Sequence, residues 1–138
     1  LVGSEMCIRD RYDGIENLLD TLQKQGHKLY VATSKPKEYS VRILDKFGLL
    51  KYFEYVSGSS MDEKDSDKAT IIKNALNVSL ADKKDVLMIG DRCFDIKGAK
   101  TNGVDSLAVL YGYGSREEIT DSAPEYIAET VNDIFNYV

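Results

Sequence analysis

Two aspartates stand four residues apart in Gly90-Asp91-Arg92-Cys93-Phe94-Asp95, directly after the apolar run Val86-Leu87-Met88-Ile89. Paired carboxylates form a hard oxygen site suited to Mg2+, and Gly90 allows close backbone approach. If Asp91 leaves a strand tip, Asp95 falls in the first turn of the next helix. It then shares the face of Gly98 and Ala99, three and four residues on. A plainer reading makes Asp91 a turn residue and Asp95 a helix-dipole residue, and the pair alone does not decide between the two. A second apolar run, Leu29-Tyr30-Val31-Ala32, ends in Thr33-Ser34-Lys35. Hydroxyls and backbone N–H groups there could donate to a phosphoryl oxygen. Taken alone, N-capping by Ser34 or Thr33 is the simpler account. Lys68 breaks a rule. It opens a helix, where the macrodipole disfavours a cation, and it shares an apolar face with Ile71, Ile72 and Ala75. A lysine turned inward calls for an anion. The competing reading, a surface lysine lying its stem on the core, leaves the broken dipole rule unexplained.

The elements that would position these groups alternate along the chain. Ile15, Leu18, Leu19 and Leu22 have helical spacing, stopped at Gly26. A strand over 29–33 follows, with Pro36 suited to the first turn of the next helix. That helix carries Val41, Ile43, Leu44 and Phe47 and is capped at Gly48. A strand over 53–56, a polar loop over 58–67 and a helix over 68–77 come next, the helix N-capped by Asp65, Ser66 or Asp67. Then come a strand over 86–89, a helix over 94–101 and a strand over 106–110. The Gly112-Tyr113-Gly114 turn leads to a helix over 115–120, which opens with the capping-box pair Ser115 and Glu118. A short edge strand over 126–128 and a helix over 131–137 end the chain. Strands spaced by helices predict an α/β fold, a doubly wound parallel sheet. Strands that are apolar throughout predict cover on both faces. In such sheets ligands bind beyond the carboxyl ends of the strands, where Thr33, Asp91 and the Lys68 helix start all fall.

Composition narrows the function classes. The net charge of −5 over 138 residues argues against a general nucleic-acid binder. No apolar run approaches the ~20 residues that span a bilayer, so no membrane partner is expected. Cys7 and Cys93 are far apart and in unlike settings, which suggests neither a disulfide nor zinc. A reducing, cytoplasmic setting is the default expectation. His27 reads as a solvated turn residue and Cys93 as a packed thiol, although helix starts can activate cysteines. The acidic cluster over 62–67 reads as a solvated loop. Residues 1–11, LVGSEMCIRDR, show no helix or strand period and no signal-peptide pattern. They look like translated adaptor sequence. They are expected to be a non-native or disordered leader, with residues 12–138 forming the core of the C-terminal part of a longer protein.

The order of hydroxyl, lysine and Gly-Asp-x-x-x-Asp resembles the haloacid dehalogenase superfamily of phosphatases, nearest to its phosphoglycolate-phosphatase-like group. Tyr12-Asp13-Gly14, Val31-Ala32-Thr33-Ser34-Lys35-Pro36 and Leu110-Tyr111-Gly112-Tyr113-Gly114 support the likeness, which runs over 12–138. The resemblance implies a Rossmann-like core and Mg2+-dependent hydrolysis of a small organic phosphomonoester. It assigns Thr33 to the phosphoryl group, Lys68 to charge balance around it, and Asp91 and Asp95 to Mg2+, Asp91 more directly. Ser34 and Lys35 would shape the phosphate end. The family nucleophile is the first aspartate of an Asp-x-Asp-x-Thr motif, which forms an aspartyl-phosphate. The second aspartate serves as general acid and base.

No such motif precedes Thr33. Asp10-Arg11-Tyr12 follows no apolar strand, and Asp65-Ser66-Asp67 lies in a polar loop with Ala69 where threonine would stand. The motif, its strand and most of the cap are therefore expected upstream in a parent protein, with the chain itself inactive. The sheet is expected to be incomplete at its N-terminal strand, leaving backbone rows unpaired between the strands ending at Thr33 and Gly90. A phosphomutase on the same scaffold, or a non-catalytic Mg2+- and phosphate-binding regulatory module, is the alternative. A response-regulator receiver would need acids first and lysine last, and the order here is the reverse.

Overall fold

The computed structural model describes residues 2–3, 14–59, 67–110 and 114–138. Helix α1 (Ile15–Lys24) buries the predicted stripe of Ile15, Leu18, Leu19 and Leu22. It is followed by β2 (Leu29–Pro36), α2 (Lys37–Lys46), β3 (Phe53–Ser59), α3 (Lys68–Ser79), β4 (Leu87–Gly90) and α4 (Cys93–Thr101). The chain then forms β5 (Asp105–Val109), α5 (Arg116–Ser122) and β6 (Tyr126–Ala128), while β1 is Val2–Gly3. Together the strands make one parallel sheet in the order β3-β2-β1-β4-β5-β6.

Both faces are covered because side chains alternate across each strand. Val31, Val56, Ile89, Leu107 and Val109 face α1, Leu44 of α2 and Ile134. Ala32 and Met88 face Ile71, Ile72 and Leu76 of α3 and Ala99 of α4. Ala108 packs on Ile96 and Ile119. This is the doubly wound α/β sheet that the alternation predicted.

Three details depart from the sequence reading, and one alternative is resolved. Val2–Gly3, within the stretch left out of the predicted fold, form β1. Val2 pairs with Val31 and Ile89, and Gly3 with Ala32, in the slot expected to stand open. Two flanking rows of backbone groups require partners, and a two-residue strand is too short to carry a periodic signal. Pro36 is the N-cap of α2, with ψ at 135°, and not in its first turn. The last predicted helix is a 3-10 turn, Asn132–Asn136. Of the three candidate caps of α3, Asp67 does the work, accepting from Thr70 N–H at 3.3 Å; Asp65 and Ser66 lie outside the described residues. So do Cys7, Asp10 and the tip of the Tyr111-Gly112-Tyr113 turn.

Candidate active site

The carboxyl ends of β2 and β4 lie either side of β1, and two helices bring charge to them. Ser57 donates its hydroxyl to Ile71 O at 2.7 Å, tying α3 to β3. Asn102 donates to Ala69 O and Gly98 O at 2.9 and 2.8 Å, tying α3 to α4. With the start of α3 held, Lys68 is only 9% exposed. Its stem passes Gly98, where an added Cβ would lie 3.2 Å from Lys68 Cγ and 2.9 Å from Ile72 Cδ1. Nζ donates to Ala32 O at 3.2 Å, one residue before Thr33. It also forms an ion pair with Asp95 Oδ1 at 2.9 Å.

Asp95 is buried on the small-residue face, as its spacing predicted, and Oδ2 accepts from Arg92 N–H at 3.3 Å. A Cβ on Gly90 would collide with Asp95 Cβ, Cγ and Oδ2, so glycine at that position is what lets Asp95 fold back over the strand end. Asp91 and Thr33 are both fully buried. The Thr33 hydroxyl oxygen accepts from Lys35 N–H at 3.1 Å, so its own hydrogen is aimed elsewhere. Thr33, Lys68, Asp91 and Asp95 thus gather at one sheet edge. Ser34 at the same tip is exposed and Lys35 half-buried.

The sequence reading missed the next layer. Glu118 of α5 accepts from Arg92 Nε at 3.2 and 3.3 Å and from Nη2 at 3.1 Å, and Cys93 Sγ donates to it at 3.2 Å. Gly114 N–H donates to Asp91 O at 3.0 Å. Hydrogen bonding to Arg92 holds the Glu118 carboxyl below its ordinary value, and the same contact raises Arg92. Burial, then the bond to Glu118, pushes the Cys93 thiol up, which keeps it protonated and unreactive near neutral pH. His27 is exposed, as expected.

A cavity of about 540 Å³ among the described residues lies at the opposite edge of the sheet, lined by Leu29, Tyr30, Leu87 and Asp105 among others. It sits where β2 and β4 run on past the start of β1 at Val2. Thr33, Lys68, Asp91 and Asp95 are at the carboxyl edge, away from this cavity. No helix among the described residues is long and apolar enough to cross a membrane, and no group of three or more His, Cys, Asp or Glu gathers there.

The fold and the ordered residues at its carboxyl edge define a haloacid dehalogenase-like hydrolase. The chain belongs to that family, whose model matches residues 8–109. It is 38% identical over 115 residues to a 5'-nucleotidase of Pseudomonas aeruginosa, covering 83% of this chain and 52% of that protein. It is 31% identical over 126 residues to a phosphoglycolate phosphatase of Nitrosococcus oceani, covering 91% and 56%. The crystal structure of a predicted phosphatase from Clostridium acetobutylicum superimposes with a TM-score of 0.88 at 42% identity, covering 91% of this chain and 58% of that one. The chain thus spans about half the length of the curated relatives it matches.

Proposed function

We propose that the protein containing this chain is a Mg2+-dependent phosphomonoesterase acting on a small organic phosphate, and that the chain alone does not turn over. The observation that carries this reading is Lys68. An ammonium is buried at the ligand edge of the sheet, held between the β2 carbonyl before Thr33 and the Asp95 carboxylate. Such a group, fixed in advance, offsets charge that grows on a transferring phosphoryl group without reorganising. Thr33 O–H donates to a phosphoryl oxygen, and the Ser34–Lys35 segment shapes that end through N–H groups and charge.

The residues fit a magnesium ion. The donor set is carboxylate oxygen, and Asp91 sets a fully buried carboxylate at the end of β4. Asp91 would hold the ion directly. Asp95, engaged by Lys68 and Arg92 N–H, would act by fixing the lysine and the turn. Bound there, Mg2+ would neutralise charge on phosphate oxygens.

The nucleophile is assigned to an upstream Asp-x-Asp-x-Thr segment of the parent. The relatives named as phosphoglycolate phosphatase and 5'-nucleotidase make a phosphorylated hydroxy acid and a nucleoside monophosphate the first substrates to try. The test is phosphate release with Mg2+ from both compounds, by this chain and by a version extended upstream. Release by the extended protein alone, lost in Asp91→Asn, is expected. Release by the 138-residue chain that disappears in Asp91→Asn would overturn the inactive-chain reading. No release by either protein would overturn the phosphatase reading.

A further inference from the structure

Ser115 and Glu118 have the spacing of a capping box, yet only half of it forms. Glu118 N–H donates to Ser115 Oγ at 3.1 Å, while the Glu118 carboxylate turns away from its own helix. It takes the fork of Arg92, 26 residues away, and the thiol of Cys93. From the same short segment, Gly114 N–H binds Asp91 O. A Cβ at Gly114 would collide with Asp91 O and lie 2.7 Å from Glu118 Oε2, so the two ties are packed against one another.

We propose that Glu118 is a positioning residue for the Asp91 carboxylate, acting through Arg92. Gly114 holds the carbonyl of Asp91, and Glu118 holds the side chain of the residue that follows it. The two ties close a ring around the Asp91–Arg92 peptide, and that fixes the backbone angle from which the Asp91 side chain projects. A docking role alone does not explain the pair, because Ile119 already seats α5 against Ile96 and Ala108. A guanidinium fork on a carboxylate adds the directional restraint that apolar packing lacks. This inference rests on Asp91 being the metal donor of the proposed function.

The test uses Mn2+ as probe, with binding to the 138-residue chain read by electron paramagnetic resonance and folding by circular dichroism. Partners that orient a metal donor are worth roughly ten- to a hundredfold in metal affinity. Glu118→Gln is expected to weaken Mn2+ binding by about that factor with its melting temperature little changed. Arg92→Gln is expected to do the same, and the double variant no worse than either. Arg92→Lys, which keeps the charge and loses the fork, should fall between, and Glu117→Gln one residue away should bind as the unsubstituted chain does. Unchanged binding in Glu118→Gln, with binding lost in Asp91→Asn, overturns the positioning role alone. No binding by the unsubstituted 138-residue chain, or equal binding by Asp91→Asn, overturns the metal reading and this role with it.

Discussion

Replacing Lys68 by Met removes the ammonium and keeps a stem of similar volume between Gly98 and Ile72. Two things are lost: the bond to Ala32 O at 3.2 Å and the ion pair with Asp95 at 2.9 Å. With the two side chains only 9% and 2% exposed, water cannot replace the missing partner. Breaking a buried pair from one side costs about 3–5 kcal/mol, and the lost bond to Ala32 O adds about 1 kcal/mol. Small domains have only about 5–15 kcal/mol in total. With a urea slope of about 1–3 kcal/mol/M, the unfolding midpoint should drop by roughly 2 M. Asp95→Asn keeps an acceptor for Arg92 N–H while removing the charge. The double variant Lys68→Met/Asp95→Asn should therefore recover about 2 kcal/mol of the loss. A Lys68→Met loss below about 1 kcal/mol, the value of an exposed pair, would refute the buried-pair reasoning. So would costs of the two single changes that simply add.

Gly58, one residue before the end of β3, lies beside the start of α2, and a Cβ there would lie 2.7 and 2.8 Å from Lys37 Cα and N. Backbone cannot give way cheaply, so Gly58→Ala should cost about 2 kcal/mol in urea unfolding. Leu80 ends α3 at φ 57° and is 89% exposed, so Leu80→Gly should raise stability by about 1 kcal/mol through relief of left-handed strain. Burial pushes the Glu125 carboxyl up, but Ser106 N–H at 2.7 Å and its hydroxyl at 3.0 Å outweigh this and hold it below its ordinary value. A depressed carboxyl stabilises the fold above its unfolded pKa of about 4.3, and that stabilisation fades as pH falls through the lower folded value. At this exposed site, Glu125→Gln should cost about 0.5 kcal/mol at pH 7, and the difference in melting temperature should close in strong acid.

Much of this arrangement could be read from residue order because local signals agree with tertiary ones. The apolar stripe of α1, the apolar runs within β2, β4 and β5, and the glycine that closes β4 each have one packing solution in a parallel sheet. Lys68 stood out because it violated a local preference, and the structure supplies the reason: its ammonium bridges two elements distant in sequence. The Lys68–Asp95 pairing itself was not legible, since both residues had independent explanations on their own helices. Glu118 was hidden behind a correct local motif. Ser115 to Glu118 satisfies capping, and nothing in a single sequence says that the carboxylate will prefer Arg92. The two-residue β1 was invisible because its pairing uses backbone groups that every residue carries.

The central claim is that Thr33, Lys68 and Asp91 border one metal- and phosphate-binding edge. Paramagnetic broadening of backbone amide signals by Mn2+ tests it most directly. The account predicts losses centred on Gly90 to Arg92, extending to Thr33–Lys35 and Ala69 and abolished by Asp91→Asn. Broadening centred on Leu29 and Leu87 at the opposite edge, or unchanged in Asp91→Asn, would contradict it.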